Sequence, residues 1–437
     1  MICIYKRKVS KLDKGIKMAE NLNNQYIAFE NSAQSSFGTP RGVRLHIAIF
    51  GKRNAGKSSL INAITNQDLA VVSPVAGTTT DPVFKAMEIA PIGPVTLIDT
   101  AGIDDEGLLG ELRVTKSLQV MAKTDLLLLS VAADQAPDEF DVKIVQAAKA
   151  RCIPIIGVIT KSDLGAGNLV AAWFEEQNIP LCRINNQTRD NIEQLKLLIV
   201  QYAPKDYLPE TIVGDLLKPL DTVILVCPVD ASAPKSRLIL PQVQVLRDAL
   251  DAGAIAMVVT EKELSAALAK LVSPPALVIT DSQVFATVSK LVPAHVPLTS
   301  FSILYARYKG NLREFLNGVK AIDELKAGDK VLIAEACSHY PSHEDIGRVK
   351  IPNWLEQKVG GKLEFSFAVG GDFMQDLSQY KLIVHCGGCM INRSEVLSRL
   401  AMCKEVNVPV VNYGVMIGYI TGILNRVVAP LIEQKIN

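Results

Sequence analysis

The sequence lacks long apolar runs, a strong net charge and many aromatic side chains. No apolar run reaches the roughly 18 residues of a membrane-spanning helix, so we expect no contact with a membrane. The formal net charge is +1 and aromatic residues make up 5% of the chain, whereas nucleic-acid-binding surfaces are usually basic and often carry stacking aromatics. We therefore expect no nucleic acid as an obligate partner.

Cysteine is scarce as well. The eight cysteines are scattered along 437 residues, unlike those of a small disulfide-stabilised secreted domain. We expect a reducing, cytoplasmic compartment, with some of the cysteines serving as ligands. Hydrophobic residues reach 49%, which is enough to bury large cores, and the length suits about three domains.

A glycine-rich loop at 51–59 is the most informative stretch. Its sequence, GKRNAGKSS, follows the apolar run 45–50, precedes the helical pattern 60–64 and fits the phosphate-binding pattern G-x-x-x-x-G-K-[ST]. Backbone N–H groups of such a loop face phosphate oxygens, while Lys57 would contact the β and γ phosphates and Ser58 would bind Mg²⁺. A chance glycine turn before a helix is the alternative. The predicted phosphate-binding residues are Gly51, Asn54, Ala55, Gly56, Lys57, Ser58 and Ser59.

Residues 45–205 alternate apolar strands with amphipathic segments, which predicts a parallel sheet covered by helices on both faces. The strand candidates are 45–50, 95–99, 125–131 and 155–160. Three further motifs lie at the strand ends and in the loops of this region. Each of them alone could be an ordinary turn, but their order and spacing together favour a nucleotide site.

Two of these motifs supply groups for Mg²⁺ and the γ-phosphate. Thr78 and Thr79 would complete the Mg²⁺ shell once a γ-phosphate is present. Asp99 suits Mg²⁺, directly or through water, and the N–H of Gly102 suits the γ-phosphate. The predicted catalytic residues are Lys57, Thr79, Asp99 and Gly102.

The third motif, at 160–163, predicts recognition of guanine. The Asp163 carboxylate can accept both N1–H and the 2-amino group of guanine, a donor pair that adenine lacks. The predicted guanine-binding residues are Thr160, Lys161 and Asp163. The segment 183–187 matches the usual fifth GTPase motif poorly, so none of its residues is assigned a role.

Together the four motifs resemble the TrmE–Era–EngA branch of small GTPases. Asn54 is characteristic of that branch, and the resemblance implies a bound K⁺ ion and K⁺-stimulated GTP hydrolysis. Ile103 stands where Ras-like enzymes have a water-orienting glutamine. Because an aliphatic side chain cannot orient water, another switch residue or a dimer contact must do so.

Residues 206–325 show a second α/β pattern after a linker marked by prolines. Strands are predicted at 222–226, 254–259 and 276–280, with helices at 242–252 and 261–271 between them. The polar segment 228–238 could bind an anion or form an interface, and the interface is favoured. No nucleophile–base pattern is present, so this unit is predicted to serve assembly.

Residues 326–437 carry a second chemical motif, C-x-H-x₄₅-H-C-x-x-C. Its halves follow the predicted strands 330–336 and 380–384, and parallel pairing would bring the two strand ends together. Three cysteines and two histidines suit zinc or an iron–sulfur cluster, while structural cysteines and a redox C-x-x-C are the alternatives. The predicted metal ligands are Cys337, His339, His385, Cys386 and Cys389 here, and Ser58 and Thr79 for Mg²⁺.

A GTPase followed by this motif resembles the HydF family of [FeFe]-hydrogenase maturation GTPases over residues 45–437. The resemblance implies a [4Fe–4S] cluster on Cys337, Cys386 and Cys389, with a histidine as the candidate exchangeable fourth ligand. It also implies a scaffold that carries a diiron precursor, made with the radical-SAM maturases HydE and HydG, to apo-[FeFe]-hydrogenase. The middle unit resembles the family's dimerisation domain, so we expect a homodimer or a higher oligomer.

The resulting fold prediction is an α/β chain of three domains behind a leader. A flexible leader at 1–44 precedes a P-loop GTPase domain with a parallel sheet at 45–205, and two smaller α/β domains follow, a dimerisation domain at 206–325 and a [4Fe–4S] cluster-binding domain at 326–437.

Two other functions stay open at this point. One is a translation-associated GTPase, in tRNA modification or ribosome assembly, with a C-terminal zinc module. The other is a structural scaffold with a decayed GTPase. The near-zero net charge disfavours the first and the intact nucleotide motifs disfavour the second. Metal content and GTP turnover would separate the three functions.

Overall fold

Three β-sheets carry the functional loops of the chain. The computed structural model describes residues 39–65, 82–100, 117–205, 207, 211–229, 238–336, 345–373 and 376–432. The sheets have six, four and four strands in the described part of the chain, and helices pack against them. The protein is therefore an α/β protein, as the sequence predicts.

The first sheet consists of β1 (Leu45–Phe50), β2 (Val83–Ile89), β3 (Gly93–Asp99), β4 (Leu126–Ala132), β5 (Ile155–Thr160) and β6 (Leu181–Arg183). Their order is β2-β3-β1-β4-β5-β6, and each neighbouring pair is parallel except β2 and β3. Strands β1, β4 and β5 are buried along their whole length, which explains their continuous apolar sequences. The predicted parallel sheet is confirmed, and the sheet also contains β2 and β6, which were not predicted.

Helices cover both faces of this sheet. The apolar cluster on one face includes Leu60 and Leu195, and the cluster on the other includes Ile144 and Phe174. Crossover helices that alternate between faces are what parallel strands require. The helices are Lys57–Thr65, 117–122, Glu139–Ala150, Asn168–Glu176 and Ile192–Tyr202, after a short 3₁₀ turn at Arg41–Val43.

The second sheet is fully parallel and smaller. Its strands are β7 (Thr222–Val226), β8 (Ile255–Val259), β9 (Leu277–Thr280) and β10 (Leu298–Ser300), in the order β10-β9-β7-β8. The three predicted strands and both predicted helices are present, whereas β10 was not predicted. The helices are Leu240–Asp251, Leu264–Ala269, Phe285–Leu291 and Phe301–Lys309, with 3₁₀ turns at Gly214–Leu216 and Ser282–Val284.

The third sheet is also parallel. Its strands are β11 (Lys330–Glu335), β12 (Glu364–Val369), β13 (Leu382–His385) and β14 (Val410–Asn412), in the order β12-β11-β13-β14. The helices that accompany it are Leu312–Asn317, Ala321–Glu324, Ile351–Val359, Arg393–Glu405, Tyr413–Ile420 and Leu424–Ile432. Short turns lie at Gly318–Lys320, Ile346–Lys350, Gly370–Phe373 and Leu377–Gln379. Within the ranges described, no helix is both long and apolar enough to cross a membrane.

The second and third sheets share one apolar core. Ile224 and Val278 of the second sheet belong to the same buried cluster as Leu332 and Val384 of the third. Removal of this apolar surface from water holds the two sheets together. A continuous apolar core therefore joins the two sheets.

A buried carboxylate joins the first sheet to the third. Asp125 lies just before β4 and is 4% exposed. It accepts hydrogen bonds from the backbone N–H of His46 at 2.7 Å, from the side-chain amide of Asn392 at 3.2 Å and from the hydroxyl of Ser394. We call these four residues the Asp125 joint, because they bond the start of β1 and β4 to the segment that follows the C-x-x-C motif.

The Asp125 joint makes stability depend on pH. Burial raises the pKa of Asp125 to about 6, although hydrogen bonds from Ser394, His46 and Asn392 oppose the increase. The unfolded carboxyl has a pKa near 3.9, so the folded state binds the proton more tightly and stability falls as pH rises from about 4 to about 6. At ~1.4 kcal/mol per pKa unit, the loss is roughly 2–3 kcal/mol.

We predict that Asp125→Asn removes this loss, because asparagine stays neutral at every pH. The thermal unfolding midpoints of the wild type and the variant should differ by an amount that changes between pH 4.5 and 7. Asp134→Asn, at an exposed aspartate after β4, is the matched control and should follow the wild type. Parallel pH profiles for wild type and Asp125→Asn would contradict the prediction.

Candidate functional site

The glycine-rich loop connects β1 to the helix Lys57–Thr65, as its pattern predicts. A Cβ on Gly51 would lie 2.3 Å from the carbonyl oxygen of Ser130, so only glycine allows the loop to pass this close to β4. The loop carbonyl of Ala55 accepts hydrogen bonds from the hydroxyls of Ser130 at 2.5 Å and Thr160 at 2.8 Å. Side chains of β4 and β5 thus hold the phosphate loop in place.

Lys57 and Ser58 stand where the phosphate chemistry needs them. The Lys57 ammonium is almost buried and lies 2.8 Å from the carbonyl oxygen of Gly51 and 2.6 Å from that of Lys52. The hydroxyl of Ser58 donates to Asp99 at 2.7 Å. Asp99 ends β3, and parallel pairing with β1 brings its carboxylate to the loop.

Asp99 and Ser58 together present oxygen atoms of the kind that Mg²⁺ prefers. Burial raises the pKa of Asp99, while the Ser58 hydroxyl and the charge of Lys57 oppose the increase. A bound divalent cation would add a stronger opposing charge and keep the carboxylate ionised. The other predicted ligands and catalytic groups, Thr78, Thr79 and Gly102, lie outside the described residues.

A cavity of about 530 Å³ opens beside the phosphate loop. Lys161 and Asp163, from the predicted guanine motif, line it at the carboxyl end of β5. The cavity brings the guanine motif and the phosphate loop together, as a bound GTP would require. Its lining consists of Gly56, Ser59, Asn62, Ala63, Lys161, Asp163, Leu164, Asn185, Asn186, Gln187 and Arg189.

Seven lining residues were not predicted from the sequence, and four of them, Asn185, Asn186, Gln187 and Arg189, come from the loop after β6. The amide of Asn186 donates to the carbonyl of Gly56 at 3.1 Å, and Asn185 accepts from the N–H of Gln187 at 2.9 Å. The bond from Asn186 holds the loop after β6 against the phosphate loop, and the bond to Asn185 shapes the turn within it. Only the position of this polar segment after an apolar strand could have indicated its role, because its residues do not match the usual fifth GTPase motif.

Asn54 lies in the phosphate loop with a positive φ of 59° and an exposed side chain. Asparagine tolerates this left-handed conformation better than most residues. Its side chain is open to the surface beside the loop, so its role in holding K⁺ stays a prediction.

The second motif begins where β11 and β13 end. These strands are parallel neighbours with Ala334 opposite His385, so the residues that follow them emerge side by side. The N–H of Ala336 donates to the Cys386 sulfur at 3.1 Å. The predicted convergence of the two strand ends is confirmed up to residue 336, because Cys337 and His339 lie outside the described residues.

Cys386 and Cys389 are held in a tight, sheltered loop. Gly388 between them has a φ of 68°, a left-handed conformation that favours glycine, and its N–H donates to the Cys386 sulfur at 3.4 Å. Burial raises the pKa of Cys389 to about 11, and the neighbouring Cys386 adds to the increase. Metal binding would therefore have to displace thiol protons, and the N–H donors would stabilise the thiolates that form.

The side chain of His385 is buried, and both of its ring nitrogens already contact other groups. It is 1% exposed, its Nδ1 lies 2.7 Å from the carbonyl oxygen of Cys386, and its Nε2 lies 3.4 Å from Nη1 of Arg399. Burial lowers its pKa to about 3, so the ring is neutral, with Nδ1 as the donor to the carbonyl and Nε2 as the acceptor. A ligand role for His385 stays a prediction and would require one of these contacts to break.

The described cysteines suit an iron–sulfur cluster or a zinc site. Cys386 and Cys389 lie together in the loop that follows β13, and the N–H groups of Ala336 and Gly388 donate to the Cys386 sulfur, as in the environments that tune such clusters. The described residues, which do not include Cys337 and His339, contain no group of three potential metal ligands. The complete ligand set, which needs Cys337, therefore stays a prediction.

Three other cysteines have apolar surroundings. Cys182, Cys227 and Cys403 are buried, and burial raises their pKa values to about 11, 12 and 12. Such thiols remain protonated and pack like small hydrophobic residues.

Two family models match the second half of the chain. The model described as the hydrogen maturase F dimerization domain matches residues 212–310, and the one described as its tetramerization domain matches residues 313–430. This chain belongs to the hydrogen maturase F (HydF) family. A third model, a 50S ribosome-binding GTPase, matches residues 46–161 and identifies the first domain as a GTPase domain.

Curated relatives resemble this chain mainly in the GTPase domain. The tRNA modification GTPase MnmE of Endomicrobium trichonymphae is 38% identical over 210 residues, 46% of this chain and 44% of that protein. MnmE of Bordetella parapertussis is 36% identical over 133 residues, 30% of this chain and 29% of that protein. The chain thus spans less than half the length of these relatives.

Solved structures offer only a remote likeness. Era of Aquifex aeolicus bound to GDP and AlF₄⁻ is 21% identical, with a TM-score of 0.34, covering 49% of this chain and 93% of that one. The G domain of the T. maritima FeoB iron transporter is 20% identical, with a TM-score of 0.29, covering 37% of this chain and 99% of that one.

We predict that Asp163→Asn changes which nucleotide the cavity binds. In the variant, the asparagine NH₂ group faces the 2-amino group of guanine, and two donors cannot bond to each other. Xanthine has an oxygen at position 2, which can accept a hydrogen bond from that NH₂ group. GTP affinity should fall about 10- to 100-fold, and XTP affinity should rise. Displacement of a fluorescent nucleotide by GTP and by XTP measures both effects.

Asp190→Asn is the control for this prediction. Asp190 is exposed near the same cavity and accepts a hydrogen bond from the Thr188 hydroxyl, at a distance of 2.6 Å. The control should keep the wild-type preference for GTP. Unchanged GTP affinity in Asp163→Asn would count against the assigned guanine site.

Proposed function

We propose that this protein is a GTP-hydrolysing scaffold for the maturation of [FeFe]-hydrogenase. It binds a [4Fe–4S] cluster and delivers a diiron precursor to apo-[FeFe]-hydrogenase. The observation that carries the proposal is the Cys386 loop, which lies at the joined ends of β11 and β13 within a region matched by a hydrogen maturase F domain. The maturases HydE and HydG are the proposed sources of the precursor.

GTP hydrolysis in this proposal depends on charge placed around the phosphates. Water attacks the γ-phosphorus and GDP leaves, so negative charge develops on the bridging and γ oxygens. Lys57 faces that charge, and Ser58 and Asp99 hold Mg²⁺, with Thr79 and the N–H of Gly102 completing the predicted set. Asn54 would hold the K⁺ ion.

The proposed cluster ligands are the three cysteines of the second motif, Cys337, Cys386 and Cys389. A cluster bound by three thiolates keeps one iron with an exchangeable position, which suits a carrier that must take and release cargo. His339 and His385 are the candidate fourth ligands. Cys386 and Cys389 are partly buried, which would limit the access of water to such a cluster.

The Asp125 joint is the proposed route between the nucleotide and the cluster. Helix 117–122 follows the predicted motif that ends in Gly102, and it leads directly into Lys123. The carbonyl of Lys123 accepts a hydrogen bond from the Asn392 amide at 3.0 Å, and the Asn392 oxygen caps the helix Arg393–Glu405. Because Asn392 lies three residues after Cys389, a displacement of helix 117–122 would reach residues 386–392, which we call the cluster loop.

Self-association is proposed to use the β8 edge of the second sheet, where β8 has no further neighbour among the described strands. Strand β8 is the last strand of that sheet, and Ile255 and Val258 on it are 54% and 41% exposed. An edge strand with exposed apolar side chains is suited to pair with another strand. A homodimer or a higher oligomer is therefore proposed, in agreement with the two domain models.

The rival function is a translation-associated GTPase with a zinc module. The MnmE relatives favour it only through the GTPase domain, and a zinc site would use the same cysteines. We place the protein in the cytoplasm, without nucleic acid or a membrane as an obligate partner. Metal analysis distinguishes the two functions directly.

We predict about four irons and four sulfides per chain after anaerobic purification and reconstitution. Cys337→Ala, Cys386→Ala and Cys389→Ala should each lose the EPR signal of the reduced cluster, because each removes a ligand. Cys152→Ala, at an exposed cysteine of the GTPase domain, is the control and should keep the signal. One zinc per chain without iron would support the zinc-bearing GTPase instead.

A separate prediction concerns the independence of the two sites. Lys57→Ala should lower GTP turnover by at least about 100-fold, because the phosphate charge loses its ammonium partner. Its iron content should equal that of the wild type. Lys143→Ala removes an exposed lysine from the same domain and should leave turnover unchanged. Loss of iron in Lys57→Ala would argue that the sites are not separate.

A further inference from the structure

Lys309 is a buried lysine beside the cluster loop that GTP binding does not use. It ends the helix Phe301–Lys309, and its exposed fraction is 0%. Its Nζ donates to the carbonyl oxygens of Ile391 at 2.6 Å, Cys389 at 2.9 Å and Gly388 at 3.3 Å. An ammonium carries three N–H donors and no acceptor, so these carbonyls match its full donor set.

The charge of Lys309 is not balanced by a carboxylate. Among the residues that the structure describes, no salt bridge includes Lys309, and the nearby Glu395 is paired with Arg399 at 2.8 Å. The centroid of the Tyr305 ring lies 5.7 Å from Nζ and offers only a weak cation–π contact. A buried cation without a counter-ion is strongly disfavoured, so an anion next to Lys309 would be favourable.

The loop that Lys309 binds presents its peptide groups in one direction. The carbonyls of Gly388 and Cys389 accept hydrogen bonds from Lys309, and the N–H of a trans peptide points opposite to its carbonyl, so the N–H groups of Cys389 and Met390 point away from the ammonium. These two N–H groups oppose the increase in the pKa of the Cys389 thiol, and the N–H of Gly388 donates to the Cys386 sulfur at 3.4 Å. Two successive peptide groups thus lie between the ammonium and the sulfur. Their positive ends face the sulfur, where a bound cluster would carry negative charge.

We propose that Lys309 is a positioning residue for the iron–sulfur cluster, which orients the loop N–H groups towards sulfur and supplies a buried positive charge that favours the reduced cluster. This inference rests on the proposed function. One-electron reduction adds a negative charge to the cluster, and a fixed cation nearby stabilises that added charge. Hydrogen bonds to sulfur act in the same direction.

The test is the reduction potential of the cluster in the reconstituted full-length chain. Lys309→Met keeps the side-chain length but removes the charge and the donors. Its equilibrium constant for one-electron reduction should fall at least tenfold, a shift of about 59 mV to lower potential, measured by redox titration with EPR detection. Lys320→Met, at an exposed lysine of the turn Gly318–Lys320, removes the same charge and should titrate like the wild type.

Gly42→Ala is a second variant that keeps every charge. An added Cβ at Gly42 would lie 2.7 Å from Lys309 Nζ, 2.7 Å from the carbonyl oxygen of Ile391 and 2.9 Å from that of Cys389. It should therefore displace the ammonium from the loop, shift the EPR g-values and lower the potential in the same direction. If Lys309→Met does not fold, as judged by GTP turnover and circular dichroism, Gly42→Ala decides the question.

The outcomes separate this inference from the function on which it rests. A wild-type chain that binds no iron overturns both. A wild-type chain with a normal cluster, beside a folded Lys309→Met and a Gly42→Ala that keep its potential and g-values, overturns the role of Lys309 alone. A lowered potential in either variant, with wild-type behaviour in Lys320→Met, supports it.

Discussion

Parallel pairing of strands is the constraint on which both candidate sites depend. In the first sheet it brings the phosphate loop after β1, Asp99 at the end of β3 and Thr160 at the end of β5 to one edge. In the third sheet it brings residue 336 after β11 beside Cys386 after β13. Ligand sites at the carboxyl ends of parallel strands are a general property of such sheets. Here one chain carries two candidate sites of this kind.

The loop at 386–392 is the place where three parts of the chain meet. Lys309 approaches it from the second sheet, Gly42 lies against it from the segment before β1, and Asn392 ties its end to Asp125. Buried polar groups of this kind are costly unless each is hydrogen-bonded. Here the Lys309 ammonium donates to carbonyls of the loop, and the Asn392 amide donates to the Asp125 carboxylate. The loop is thus shaped by the whole molecule rather than by its own sequence.

The sequence was most informative where the signal is local. Strands such as β4 are continuous apolar runs, and the phosphate loop is one contiguous pattern, so both could be predicted. The Asp125 joint links residues 267 apart, and Lys309 reaches carbonyls 79–82 residues away. Neither spacing nor periodicity encodes such contacts, because they arise only when separate sheets pack together. The edge strand β2 was missed for a related reason, since it gains its place by pairing with β3.

The central claim is that the nucleotide site and the cluster loop communicate through the Asp125 joint. The most direct measurement is hydrogen–deuterium exchange of the backbone amides at 123–125 and 386–392 in the reconstituted chain, with GDP or with a non-hydrolysable GTP analogue. The account predicts that exchange in both segments changes with the nucleotide. Identical exchange in both segments, while the amides at 51–59 respond to the nucleotide, would contradict it.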